Sequence, residues 1–297
     1  MACPPPDPDD KPPIGLTRRR FASSAVSGAC ALAVGPAVVG HGAVIAQSTQ
    51  PSRIERLQAQ FNLLARDTLA GVSAFAVPGN DLYSLWQGLS TFQVGGVAAR
   101  NDAFLAFMFD NYLPLPPPLG NSLAIGLGTP LRGLSLSLGD GLTLNVGSAL
   151  TELLNAYDSL PLALVVALLL NALALTVQPA SLVGPFLSPF SRLSWKNKAR
   201  VLELLENPGP EVIQLMGPVP GSLLKTVIGY VQLIAVGLLA FAGFGSYSEW
   251  SVLDPSTRTL RARPVGWTLS KYQPAGPVEG WDDFKGYYQG RRSASDA

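Results

Sequence analysis

Beyond residue 46 the sequence has no cysteine and no histidine; Cys3, Cys30 and His41 are the only ones in 297 residues. Without a thiol or an imidazole, that region forms no disulfide, attaches no haem through a C-x-x-C-H motif and builds no Cys/His zinc site. Ser-His-Asp and Cys-His catalysis fall away for the same reason, since each needs imidazole as its base. Also missing is a glycine-rich strand-to-helix turn followed by an acid roughly 20 residues later, the usual seat of a flavin or nicotinamide. The nearest glycines, in "AIGLGTPLRGLSLSLGDG", stand in a Gly/Leu/Ser stretch that reads as a loop in preference to a short hairpin turning at Gly139-Asp140-Gly141. Charge is scarce too. Of 21 basic and 20 acidic residues, Lys11, Arg18, Arg19, Arg20, Asp7, Asp9 and Asp10 precede residue 47, so the remainder is formally neutral. A nucleic-acid binder carries a basic excess, and this chain has none.

What is present begins with an address. Thr17-Arg18-Arg19-Arg20-Phe21 fits the twin-arginine export pattern, and a weakly apolar run of Ala, Ser, Gly and Val follows to residue 39. "AVIAQS" then supplies the small residues, Val44 and Ala46, that a signal peptidase requires, with cleavage expected after Ala46. Residues 1–46 are therefore expected to be a signal peptide read by the twin-arginine translocase. The chain is expected in the periplasm, the cell envelope or outside the cell. Because that route generally carries folded proteins, the chain is expected either to bind a cofactor or to travel with a protein that does.

The remainder reads as one mainly α domain over 47–245, with a Gly/Pro-rich loop inserted at 116–148 and an irregular aromatic tail at 246–297. Ser52 and Glu55 form a capping-box pair ahead of an apolar stripe at Ile54, Leu57, Phe61 and Leu64, a helix expected to run to about residue 73. Pro78-Gly79-Asn80-Asp81 is a turn. A second helix is expected over 97–113, with Phe104, Phe107 and Met108 turned to the core. Ser194 caps a third, whose apolar positions are Trp195, Ala199, Leu202 and Leu205 and whose Lys196, Lys198 and Arg200 read as a solvated face. Two long apolar segments, 160–177 and 226–244, approach the length of a membrane span. The first is interrupted by Pro161 and Asn171, and neither has strong basic flanks, so buried core helices are preferred to spans.

In the tail, Trp250, Trp267, Tyr272, Trp281, Tyr287 and Tyr288 are spaced by Gly, Pro and charges, and Asp254 to Thr257 could turn a short hairpin. Such residues suit either docking on a partner, because Trp and Tyr are favoured interface anchors, or wrapping of the tail around its own domain. Glu249, Asp254, Asp282 and Asp283 are candidates for a carboxylate pair of the glycosidase kind, but their spacing singles out no acid and no base, and they read as surface charges and turn residues. No residue receives a catalytic, cofactor or metal role.

Three segments carry a family resemblance: "LLARDTLAGVSAFAVPGNDLYSLWQG", "GGVAARNDAFLAFMFDNYL" and "FLSPFSRLSWKNKARVLELLE". Together with the leader they resemble the small, gluconate 2-dehydrogenase subunit 3-like subunit of membrane-bound sugar dehydrogenases. The Gly-rich insertion and the aromatic tail depart from that pattern. The resemblance implies a subunit with no redox centre of its own, paired with a large flavoprotein of the glucose-methanol-choline class. FAD would lie in the partner, and this chain would supply the export signal. The alternative is a membrane-embedded exported protein with spans at 160–177 and 226–244.

Overall fold

The computed structural model describes residues 51–113, 117–137, 143–215, 221–254, 256–257 and 259–272. Thr17, Arg18, Arg19, Phe21, Val44, Ala46, Trp281, Tyr287 and Tyr288 lie outside the described residues, as do the acids Asp282 and Asp283. Among the described residues are ten helices and two short antiparallel hairpins, a mainly α domain.

Helix α1 (Arg53–Ala76) opens on the capping box: Glu55 N donates to Ser52 Oγ at 3.2 Å, and Ser52 N donates to the Glu55 carboxylate at 2.7 Å. Two of the orphan amides of a helix start are thereby satisfied. Leu57, Phe61 and Leu64 are buried along one face. A short helix, α2 (Leu82–Trp86), follows the Pro-Gly turn and is capped by Asp81, whose carboxylate accepts from Ser84 N at 2.9 Å. Helix α3 (Asn101–Tyr112) starts four residues later than the sequence predicts, because Arg100 takes a left-handed conformation (φ 55°). Its core positions are Phe104, Leu105 and Phe109. Phe107 is 40 % exposed and Met108 only partly buried, so the pair does not join Phe104 inside. The inward face is centred on Leu105 and Phe109, one turn apart at i and i+4, with Phe104 at its edge.

The segment read as a loop insertion at 116–148 contains structure. Helix α4 (Pro117–Gly128) is followed by a hairpin of β1 (Ser135–Ser137) and β2 (Thr143–Asn145), with Leu136 opposite Leu144. Prolines at a helix start cost little, since the missing N–H would have no partner there. The glycines are used for closeness: a Cβ on Gly147 would lie 2.7 Å from the Gly128 carbonyl oxygen. Helix α5 (Val146–Ala156) therefore packs tightly on α4, and Leu123, Leu127, Leu150 and Leu153 close the core beneath them.

Helix α6 (Leu162–Val177) is the centre of the domain. It is contacted by α1, α3, α4 and α7 (Trp195–Glu206), and every residue from 162 through 174 is buried. A short 3-10 turn (Pro179–Leu182) leads into the loop before α7, and α8 (Pro210–Leu215) precedes α9 (Gly221–Tyr247). Helix α9 lies on α1, α3 and α7 through Val227, Val231, Ile234, Ala235, Leu238 and Ala242. Asn101 fastens it to α3, donating to the Ala242 carbonyl at 2.6 Å and to Ser246 Oγ at 2.8 Å.

The tail is less irregular than the sequence predicts. A hairpin of β3 (Leu253–Asp254) and β4 (Thr259–Leu260) leads to α10 (Val265–Ser270), which packs on α9. Asp254 makes the anticipated turn, its carboxylate accepting from Ser256 N at 2.9 Å and Ser256 Oγ at 2.6 Å, bonds that hold its pKa below the usual carboxylate range.

Candidate partner-docking face

The core of α6 carries one polar side chain, and it leads to an extended hydrogen-bonded region among the described residues. Asn171 is fully buried; its amide donates to Thr68 Oγ1 at 2.9 Å, and its carbonyl oxygen accepts from Phe190 N at 3.0 Å. The residue that interrupts the apolar run in sequence is thus the anchor for the loop ahead of α7. Asp67, next to Thr68 on α1, holds the same loop. Its carboxylate accepts from Ser188 N at 2.8 Å and from Tyr83 Oη on α2 at 2.7 Å, and its carbonyl accepts from Ser191 Oγ at 2.7 Å. Burial, and after it the Asp67 carboxylate, push the Tyr83 hydroxyl pKa well above its ordinary value, so the phenol remains a donor. Gly71 permits the approach: a Cβ there would sit 2.5 Å from Ser191 Oγ and 3.1 Å from its Cα.

Lys198 on α7 completes this platform, in contrast to its sequence reading as a solvated residue. It is fully buried, and its ammonium donates to the Gly71 carbonyl at 3.1 Å and to Gln87 Oε1 at 2.9 Å, 5.7 Å from the centre of the Phe190 ring. Gln87 in turn donates to the Ala74 carbonyl at 2.8 Å, and its own carbonyl accepts from Trp195 N at 2.9 Å. Burial lowers the Lys198 pKa to about 7, against the opposing pull of Asp81 and Asp67. The helix is rotated so that Val201, Leu202, Leu204 and Leu205 are inside with Lys198. Trp195, one of the apolar positions read from sequence, is 41 % exposed and stacks on Phe75 at 5.3 Å.

Arg192 organises the loop from within. Its guanidinium donates to the carbonyls of Ser181, Leu182, Phe186 and Leu187, a spread that its forked donors can cover and a lysine cannot. The Arg192 carbonyl accepts from Trp86 Nε1 at 2.8 Å, and Phe186 stacks on Tyr83 at 4.3 Å and meets Trp86 edge-on at 6.2 Å. Two chain segments, 78–96 and 181–195, are thus bonded to each other and to α1. The first is closed on itself: Gly79 and Gly95 touch so closely that a Cβ on either would lie within 2.6 Å of the other's backbone.

These segments present large apolar side chains to solvent. Leu82, Leu85, Trp86, Leu89, Val94, Leu187 and Trp195 are exposed, Val183 is 81 % exposed, and Phe92 is bare of neighbours. Asn80, Ser90, Thr91 and Gln93 are exposed among them and offer hydrogen-bonding groups. Exposed apolar anchors on a rigid base, interspersed with polar groups, are the makings of a protein interface. Sequence reasoning missed this face because apolar residues in a turn-rich segment look the same whether they point in or out. The available signal was the i, i+3, i+4, i+7 spacing of Leu82, Leu85, Trp86 and Leu89 in "DLYSLWQGLSTFQV", an apolar stripe in a segment cut short by Gly88.

Of the residues singled out for docking from sequence, those described, Trp250, Trp267 and Tyr272, are placed elsewhere. Trp250 is 39 % exposed and packs against Phe104 at 5.6 Å and Phe107 at 6.1 Å, whereas Trp267 meets Tyr272 at 5.3 Å. An open groove of about 530 Å³ between α4 and α5 is lined by Thr129, Arg132, Asn145, Ser148 and Thr151, with no carboxylate to act as acid or base. Among the described residues no three or more His, Cys, Asp or Glu gather as a metal site. No protein-family model, no curated protein and no solved structure matches the chain.

Proposed function

We propose that this chain is an exported, noncatalytic accessory subunit of a flavin-dependent oxidoreductase. On this reading it escorts a large catalytic subunit of the glucose-methanol-choline class through the twin-arginine translocase and remains bound to it. FAD belongs to that partner. The observation that carries the reading is the rigid apolar face: it is built from "VPGNDLYSLWQG" and "FLSPFSRLSW", portions of two of the segments that resemble the small-subunit family. The polar platform beneath fixes the backbone that carries Leu82, Leu85 and Trp86 before any partner arrives, which lowers the ordering cost of association. The leader supports the same reading, since a folded-protein route suits a chain that leaves with a cofactor-loaded partner.

The test is purification of the tagged chain from its native host, behind its own leader. A large partner in fixed ratio, with flavin absorbance in the eluate, is the expected result. Leu82→Arg with Phe92→Arg should weaken that association at least about thirtyfold, the loss of roughly one interface hot spot, without moving the thermal unfolding midpoint. Arg18→Lys with Arg19→Lys should remove both proteins from the exported fraction. A colourless, monomeric eluate overturns the proposal.

A further inference from the structure

The second uncovered surface of the molecule differs in kind from the docking face. The segment Leu224–Tyr247 of α9 has a mean hydropathy of 2.1 over its most apolar window, and that window is only 39 % buried. Its inward residues are those packed on α1, α3 and α7. The outward ones, Gly229, Leu233, Val236, Ala240 and Phe244, recur every three or four residues and so form one stripe. Val236 and Phe244 are each 61 % exposed. No acidic or basic residue occurs from Thr226 through Ser248. Gln232, the one amide beside the stripe, already donates to the Glu206 carbonyl at 2.9 Å. At the C-terminal end stand Tyr247 and Trp250, both exposed, with Phe107 beside Trp250.

We infer that the outer face of α9 seats on a lipid bilayer, so that the domain rests on the membrane through one side of one helix. An uncharged stripe about 23 Å long, whose five outward positions carry no hydrogen-bonding side chain to set a partner's register, matches the hydrocarbon boundary of a bilayer better than a protein surface. Tyr and Trp gathered at one end suit the headgroup level, where a ring is half in lipid and half in water. The helix lies in the boundary and does not cross it, because its other face is committed to α1, α3 and α7. The absence of basic residues along the stripe makes the attachment apolar and independent of anionic lipid.

The full chain is mixed with phosphatidylcholine vesicles and floated through a density step, with tryptophan emission recorded. Co-flotation that survives 0.5 M salt, with a blue shift of the emission, is expected. Val236→Glu with Phe244→Glu should weaken it at least about tenfold, because charged side chains would have to enter the apolar boundary. Both positions are exposed, so the variant should retain the wild-type unfolding midpoint. Absence of flotation overturns the inference. So does equal flotation of the variant, which would place the contact elsewhere in the chain, or a wild-type dimer that the two glutamates convert to monomer, which would make the stripe a surface between copies.

Discussion

Helices α6 and α9 are built from much the same residues, Leu, Ala and Val with few polar interruptions, yet their surroundings differ. Helix α6 is wrapped by four other helices from residue 162 through 174, whereas α9 turns one side to the domain and leaves the other uncovered. Their single amides differ in the same way: Asn171 is fully buried and bonded at both ends, while Gln232 is exposed with one backbone contact. Composition sets how much apolar surface a helix offers; position in the bundle decides how much of it is covered. A hydropathy reading sees the first quantity and is blind to the second.

That difference is measurable as stability. Leu168→Ala, in the middle of α6, should cost about 2–5 kcal/mol in urea unfolding, through lost burial and the cavity left behind. Val236→Ala on the outer side of α9 should stay within about 0.5 kcal/mol in the same assay. Equal losses at the two positions would break the comparison.

Helix α7 touches both, and its Lys198 supplies a second probe. The folded pKa, about 7, lies below the ordinary value of 10.5 because burial penalises the charged form. Between those two pH values the unfolded chain binds the proton more tightly than the folded one, so stability rises with pH across that window. The gain from pH 7 to 9.5 should reach about 3 kcal/mol at most, since one pKa unit corresponds to about 1.4 kcal/mol. Lys198→Met should flatten this slope, which unfolding curves at several pH values will show.

The smallest expected effect compares the amides. Asn171→Leu leaves Phe190 N without its acceptor and Thr68 Oγ1 without its donor, and should cost about 1–3 kcal/mol. Gln232→Leu, whose backbone partner can turn to water, should cost no more than about 0.5 kcal/mol. Denaturant midpoints of the two variants sharpen the contrast, because both exchange an amide for an aliphatic side chain.

Much of the fold was legible where the signal is local. The capping box at Ser52 and Glu55, the Ser194 cap and the Asp254 turn each depend on residues three or fewer positions apart, and each formed as read. Helix α4 was hidden because Pro and Gly count against a helix in isolation, while here the prolines open it and Gly128 meets Gly147 across the α4–α5 contact. Lys198 was hidden because its partners, Gly71 and Gln87, are more than 100 positions away in the chain. The docking face belongs to the same class. Its platform joins α1, α2 and the loop before α7, and nothing within either loop alone announces that Tyr83 and Ser188 share one carboxylate.

Arg192 gives that platform a further property. One guanidinium gathers the carbonyls of the outer loop, and the carbonyl of the same residue receives the Trp86 indole, so conformation is decided by side chains that point inward. Leu82, Phe92 and Val183 project from it with little share in holding it together. Under the proposed function, what the face recognises can therefore drift independently of how the face is held. Lineages could exchange one binding preference for another by altering a few protruding side chains, while the buried scaffold passes unchanged from one version to the next.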